Sequence, residues 1–99
     1  NKERKNLNFK KISERFFSAY FRFNVIDKPG VLSNITHVFS RNRVSIKRLV
    51  QDPNKNKSSS SIIIITHPSK DKSLNKIIQT VNKRSYVKKR SKLIRIDNE

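Results

Sequence analysis

The amino-acid sequence predicts an α+β domain in which a four-stranded antiparallel sheet carries two helices on one face. Three observations predict it. Residues Tyr20 to Ile26 alternate, with Phe21, Phe23 and Val25 against Tyr20, Arg22 and Asn24, which is the pattern of a half-buried strand. Leu32, Ile35, Val38 and Phe39, and later Leu74, Ile77, Ile78 and Val81, recur at helical spacing. Between these stretches Ile62 to Ile65 form an unbroken β-branched run, which suits a central strand covered on at least one face. Read along the chain the order is β-α-β-β-α-β, the ferredoxin-like arrangement.

Residues 1–18 are polar and basic, with Leu7, Phe9, Ile12, Phe16 and Phe17 scattered through them. They read as an N-terminal linker ahead of a domain spanning residues 19–97. Ile12 and Phe16 are four apart, so a short helix from about Ser13 is the one local structure the linker suggests. Strand one, Tyr20 to Ile26, leads into Asp27-Lys28-Pro29-Gly30-Val31-Leu32, and helix one follows from about Val31 to Asn42. Arg41 and Arg43 sit at the end of that helix, where cations suit the dipole. Strand two is expected over Val44 to Val50. The lysine-rich stretch Gln51 to Ser59 lacks an Asn-Gly or Asp-Gly turn and reads as a mobile hairpin loop. Strand three covers Ser60 to Thr66 and is ended by His67 and Pro68. Ser69 is the expected N-cap of helix two, and Tyr86 and Val87 open the last strand, which continues through Leu93, Ile94 and Ile96. The far face of the sheet has no helix to cover it, so it must be polar, face a partner or bind a ligand.

The 99 residues hold one modest core, of a size that buries about 60–70% of the unfolded surface. Cysteine is absent, which excludes a disulfide framework and thiolate chemistry. A single glycine excludes the Gly-rich loops that cradle nucleotides. His37 and His67 fall on different elements and acidic residues are few, so neither catalysis nor a metal site is expected within this chain. His37 reads as a solvated helix position. His67 closes a strand, with contact to a ligand or partner as its alternative role. No apolar run is long enough for a membrane span and no signal peptide is visible, so a cytoplasmic protein is expected. The absence of methionine and the start at Asn1 suggest a segment of something longer.

Lys and Arg number 24 against seven Asp and Glu, a formal charge of +17. Charge of that sign raises the question of nucleic acid. The basic residues are spread along the chain, however, and the recognition motif that shares this topology needs aromatic rings on strands one and three. Strand one offers Tyr20, Phe21 and Phe23, whereas strand three offers serines and isoleucines. Single-stranded RNA binding is therefore an alternative and not the lead.

The one glycine, Gly30, marks a strand-to-helix corner. Such a corner presents unpaired amides and the positive end of a helix dipole, which together suit a carboxylate. For an amino-acid ligand, Gly30, Val31 and Leu32 would donate to the carboxylate, Asp27 would accept from the ammonium, and Lys28 would add positive charge. The same residues have structural roles: Pro29 and Gly30 shape a turn, Asp27 caps the helix, and Val31 and Leu32 fill core.

The run Tyr20 to Ile35, with Asp-Lys-Pro-Gly-Val-Leu at its centre, followed by Val44-Ser45-Ile46, resembles the first half of an ACT domain, a small amino-acid-sensing module. Ile64-Ile65-Thr66-His67 and Ile94-Arg95-Ile96-Asp97 are most similar to the C-terminal ACT domain of homoserine dehydrogenases. The resemblance covers residues 19–97. It implies a regulatory domain without its own cofactor, in a parent enzyme that uses NAD(P). It also implies a homodimer in which threonine sits between the corner of one copy, at Asp27, Pro29, Gly30, Val31 and Leu32, and Ser45 with Ile46 of the other. Asp27 and Ser45 stand where many amino-acid-binding members carry asparagine. Some ACT domains only hold an oligomer together, and that is the second alternative.

Overall fold

A computed structural model describes residues 15–54 and 58–96. The elements in chain order are β1 Phe16–Ile26, α1 Val31–Arg41, β2 Ile46–Pro53, β3 Ser59–Thr66, β4 Ser69–Lys70, α2 Asp71–Asn82 and β5 Val87–Ile96. The sheet runs β2-β3-β1, and β1 also pairs antiparallel with β5 and, at its N-terminal end, with β4. Apart from the two-residue β4, this is the expected ferredoxin-like fold. The isoleucine run lies in β3, hydrogen-bonded on both sides.

The alternation in β1 sends Ala19, Phe21, Phe23 and Val25 to the helix side, where all four are fully buried. They pack with Ile35, Val38 and Phe39 of α1, Ile62 and Ile64 of β3, and Leu74, Ile77 and Val81 of α2. The rings of Phe21 and Phe39 meet edge to face at 4.9 Å, and Phe21 stacks on Phe23 at 5.6 Å. Burial of each such side chain contributes about 1.5–3 kcal/mol, so these faces dominate the stability of a domain this small.

Both ends of α1 are set by left-handed residues. Gly30 has φ +89° and ψ −16°, and the Val31 amide donates to the Lys28 carbonyl at 3.3 Å. Pro29 and Gly30 are thus the two central residues of a type II turn, whose third position requires positive φ. A Cβ on Gly30 would meet nothing within 4 Å, so backbone conformation and not crowding accounts for the glycine. At the other end Val44 N–H donates to the Phe39 carbonyl and Arg43 N–H to the Ser40 carbonyl, both at 3.0 Å. That is a Schellman motif, with Arg43 in the position normally held by glycine, at φ 58°.

Several boundaries differ from expectation. β1 begins at Phe16, four residues before the predicted start, because Phe16 and Phe17 pair with β4; this replaces the helix expected around Phe16, whose start at Ser13 lies outside the described residues. So does most of the N-terminal stretch assigned to a linker. Ser69 is in β4 and does not cap α2; its hydroxyl donates to the His67 carbonyl at 2.9 Å, and the helix starts after Lys70. β2 is shifted to Ile46–Pro53 and β3 begins at Ser59, so part of the predicted 51–59 loop is sheet; residues 55–57 lie outside the described set.

Opposite the helices no described helix covers the sheet. Its rows, read from β2 to β5, are Arg48, Ile65, Tyr20 and Ile94; then Val50, Ile63, Arg22 and Lys92; then Asp52, Ser61, Asn24 and Lys89. Ile94 and Ile96 are exposed toward one end of the β1–β5 side, and Arg22, Lys92 and Lys89 lie toward its other end.

Candidate functional site

The strand-to-helix corner is held from three sides. Ile26 N–H donates to the Tyr86 carbonyl at 2.8 Å, and Asp27 N–H to the Ser58 carbonyl at 2.9 Å. The Tyr86 hydroxyl donates to Asn34 Oδ1 at 2.5 Å, tying the first turn of α1 to the segment before β5. Partial burial pushes the Tyr86 phenol above its ordinary value, and the nearby Arg84 charge partly offsets this.

Within this frame the expected donors sort themselves. Val31 N–H is spent on the turn and Asn34 N–H on the Gly30 carbonyl at 2.9 Å. The amides of Gly30, Leu32 and Ser33 have no hydrogen-bond partner among the described residues. Ser33 was missed by sequence reading, although counting three places from a glycine N-cap would have found it. Gly30 and Ser33 are exposed and Leu32 half-buried, while Val31 is part of the core. Asp27 does not cap the helix: no side chain bonds the N-terminus of α1, and Asp27 is exposed. The corner thus carries an exposed carboxylate three residues before Gly30 and, at the positive end of a helix, backbone donors with no partner among the described residues, groups complementary in kind to the two charges of an amino acid.

Ser45 and Ile46 are not part of that cluster. Ile46 pairs with Thr66, level with Ala19, whereas the corner follows Ile26, which pairs with Ser59. Six to seven residues of strand separate the two places, roughly 20 Å at the usual rise. Ser45 is exposed, and its carbonyl accepts from His67 N–H at 3.0 Å. Through its backbone His67 thus closes the β2/β3 ladder, and its residue is exposed, as is His37. Within one chain the two halves of the expected site stay apart.

α2 lies against β5 and β1, and β2 is an edge strand of the sheet. On the outer surface of α1, Gly30, Ser33, Asn34, Thr36, His37 and Ser40 line a shallow depression.

The RNA alternative loses its aromatic platform. Phe21 and Phe23 are fully buried in the core, leaving Tyr20 as the one strand-one aromatic residue of the original three on the open face. Among the described residues no group of three His, Cys, Asp or Glu could hold a metal, and no helix is long and apolar enough to cross a membrane.

The chain resembles known proteins in sequence and in fold. The family described as AHAS small subunit-like ACT domain matches residues 21–89. Homoserine dehydrogenase of Methylobacillus glycogenes is 31% identical over 71 residues, covering 71% of this chain and 17% of that one. Homoserine dehydrogenase of Bacillus subtilis is 30% identical over 91 residues, covering 91% of this chain and 21% of that protein. The chain thus spans about a fifth of the length of these relatives. The crystal structure of a homoserine dehydrogenase from Thiobacillus denitrificans superposes with a TM-score of 0.78 at 26% identity, over 90% of this chain and 19% of that one. The ACT domain from GTP pyrophosphokinase of Chlorobium tepidum, at 20% identity and a TM-score of 0.65, covers 80% of this chain and 99% of that domain and shares the fold.

Proposed function

Since the chain belongs to the ACT-domain family, of the AHAS small subunit-like type, and is related to homoserine dehydrogenase, we propose that it is the threonine-sensing regulatory domain of a homoserine dehydrogenase-like enzyme. ACT domains generally bind amino acids and dimerise, and the observation that carries the reading is the corner. There the Gly30, Leu32 and Ser33 amides face no partner among the described residues and Asp27 is exposed beside them. The effector's carboxylate takes the amides and the helix dipole, its ammonium takes Asp27, and its side chain contacts Ser45 and Ile46 of a second copy. Pro29 sets the turn, Leu32 walls the site, and Val31 anchors the corner in the core.

Regulation follows from that placement. A ligand held by two copies binds one arrangement of the dimer better than another, and differential affinity of this kind shifts an equilibrium by typically ~1–3 kcal/mol. The oxidoreductase chemistry belongs to the remainder of such an enzyme, in the cytoplasm. NAD(P) would bind there, because a chain with one glycine has no phosphate-cradling loop of its own.

The test is a thermal-shift screen of amino acids against the domain, with Asp27→Ala and Gly30→Ala in parallel. Threonine raises the midpoint and its neighbours in size and charge do not, and both substitutions abolish the rise. A domain that dimerises but responds to no amino acid would be an assembly module, and the sensing reading would fall.

A further inference from the structure

A second site lies on the opposite face of the sheet, unrelated to the corner. Arg22, Asn24, Lys89, Arg90 and Lys92 line a cleft at the basic end of the open face. Its geometry is made by a register shift. Asn24 pairs with Lys89 and Arg22 with Lys92, so two steps along β1 correspond to three along β5. Strict alternation would send Lys89 and Lys92 to opposite faces. The extra residue is a β-bulge that brings both to the open face.

The bulge is fastened from behind. Asn82, the last residue of α2, donates from Nδ2 to the Ser91 carbonyl at 3.3 Å and accepts the Ser91 N–H at Oδ1 at 2.8 Å. Ser91 itself is buried on the helix side. The ladder interrupted at the bulge is therefore completed by a side chain, and Lys89, Arg90 and Lys92 are turned outward on a braced segment.

Among the described residues no acidic group balances the charges in the cleft. Arg22 and Lys92 are direct cross-strand partners, an arrangement that destabilises an antiparallel pair. None of the five lining residues is acidic, and the one ion pair among the described residues, Arg95 with Asp71, involves none of them. Asp52, the acid on the same face, is on β2, three strands from β5, or about 14 Å at the usual spacing. Asn24 Oδ1 lies 3.1 Å from the Ser61 hydroxyl, whose single hydrogen also faces Asn54 Oδ1 at 3.1 Å, and among the described residues nothing accepts from Asn24 Nδ2.

We infer that this cleft binds a small, multiply charged phosphate ester or anhydride. Arg22 is the forked donor, Lys89, Arg90 and Lys92 are point charges around it, and the Asn24 amide is a neutral donor that fixes orientation. A compact oligophosphate suits it better than a nucleic acid strand, because the adjoining surface at Tyr20, Ile65 and Ile94 carries one ring and no stacking platform.

The experiment is calorimetric titration of the 99-residue chain with inorganic tripolyphosphate at physiological salt. The chain binds, and Arg22→Gln and Lys92→Gln each weaken binding by about tenfold, the effect of losing one charge-assisted contact. Both exposed substitutions raise the thermal midpoint of the free protein, by relieving the facing charges. Lys83→Gln with Arg84→Gln, which removes two charges elsewhere, leaves binding within about twofold if only screened, distant charge is lost. Absence of tripolyphosphate binding overturns the inference, and so does equal weakening by the Lys83 and Arg84 pair, which would reduce the effect to net charge. A single-stranded oligonucleotide that binds through Arg22 and Lys92 without competition from tripolyphosphate would overturn it too.

Discussion

The side-chain amide of Asn82 occupies both backbone hydrogen-bonding groups of Ser91, the N–H at 2.8 Å and the carbonyl at 3.3 Å. It links the end of α2 to the bulge in β5 and does the work of a missing ladder partner. Asn82→Ala leaves a buried peptide unit unsatisfied and is expected to cost about 1–3 kcal/mol in urea denaturation. Asn82→Asp keeps the acceptor for Ser91 N–H but sets a carboxylate against the carbonyl, and its loss should be no smaller than half that of alanine. A loss within error of zero for alanine would mean that water replaces the amide freely.

Positive φ occurs at both ends of α1, at a glycine in one case and an arginine in the other. Arg43 holds φ 58° in a Schellman C-cap, where an L side chain costs about 1–2 kcal/mol. Arg43→Gly should therefore raise stability by about 1 kcal/mol, after the entropy of glycine in the unfolded chain is set against the gain. Gly30→Ala should lower it by a similar amount, and through φ alone, because the added methyl finds open space. Paired thermal melts check both signs.

Much of this was legible in the chain. The alternation of Tyr20 to Ile26 and the spacing of Ile35, Val38 and Phe39 report burial directly, and burial decides the element. The ends were harder to read. Phe16 and Phe17 look like part of a basic tail because their strand partner is only the two residues Ser69 and Lys70, and Ser69 looks like a cap because serine favours that position whatever the sheet requires. At the corner Pro29-Gly30 announced the turn, yet only geometry shows which amides the turn consumes. The bulge at Lys89 to Lys92 left no periodic trace among so many lysines and arginines, since it shows only as register against β1.

Tyr86 couples the corner to pH. Burial raises its phenol above the usual value near 10.0, more than Arg84 lowers it, so the folded state holds the proton more tightly than the unfolded one. The associated stability is complete below the unfolded value and is lost as pH rises through the higher folded value. The protein should therefore lose stability in the alkaline range as the phenol ionises and its hydrogen bond to Asn34 breaks. Tyr86→Phe should flatten that part of the profile while costing about 1 kcal/mol at neutral pH. Denaturation midpoints measured from pH 8 upward test it; an unchanged alkaline slope in the variant would assign the loss to other groups.

The ion pair between Arg95 and Asp71 is asymmetric, and the asymmetry predicts an order of effects. The Asp71 side chain is 6% exposed and that of Arg95 38%. Asn75 belongs to the same group, donating to Asp71 Oδ2 at 3.1 Å and accepting from Arg95 at 2.8 Å. Arg95→Ala leaves a buried carboxylate with one neutral donor, whereas Asp71→Asn leaves a guanidinium that water already reaches. Removal of the arginine should be the more destructive change, by about 2 kcal/mol or more, and removal of the aspartate charge should cost about 1 kcal/mol. In the double variant the buried charge is gone, so its stability should exceed that of Arg95→Ala alone, a non-additivity that a double-mutant cycle measures directly. Additive losses would mean that Asp71 is stabilised by its place at the start of α2 and by Asn75, with Arg95 contributing only packing along β5.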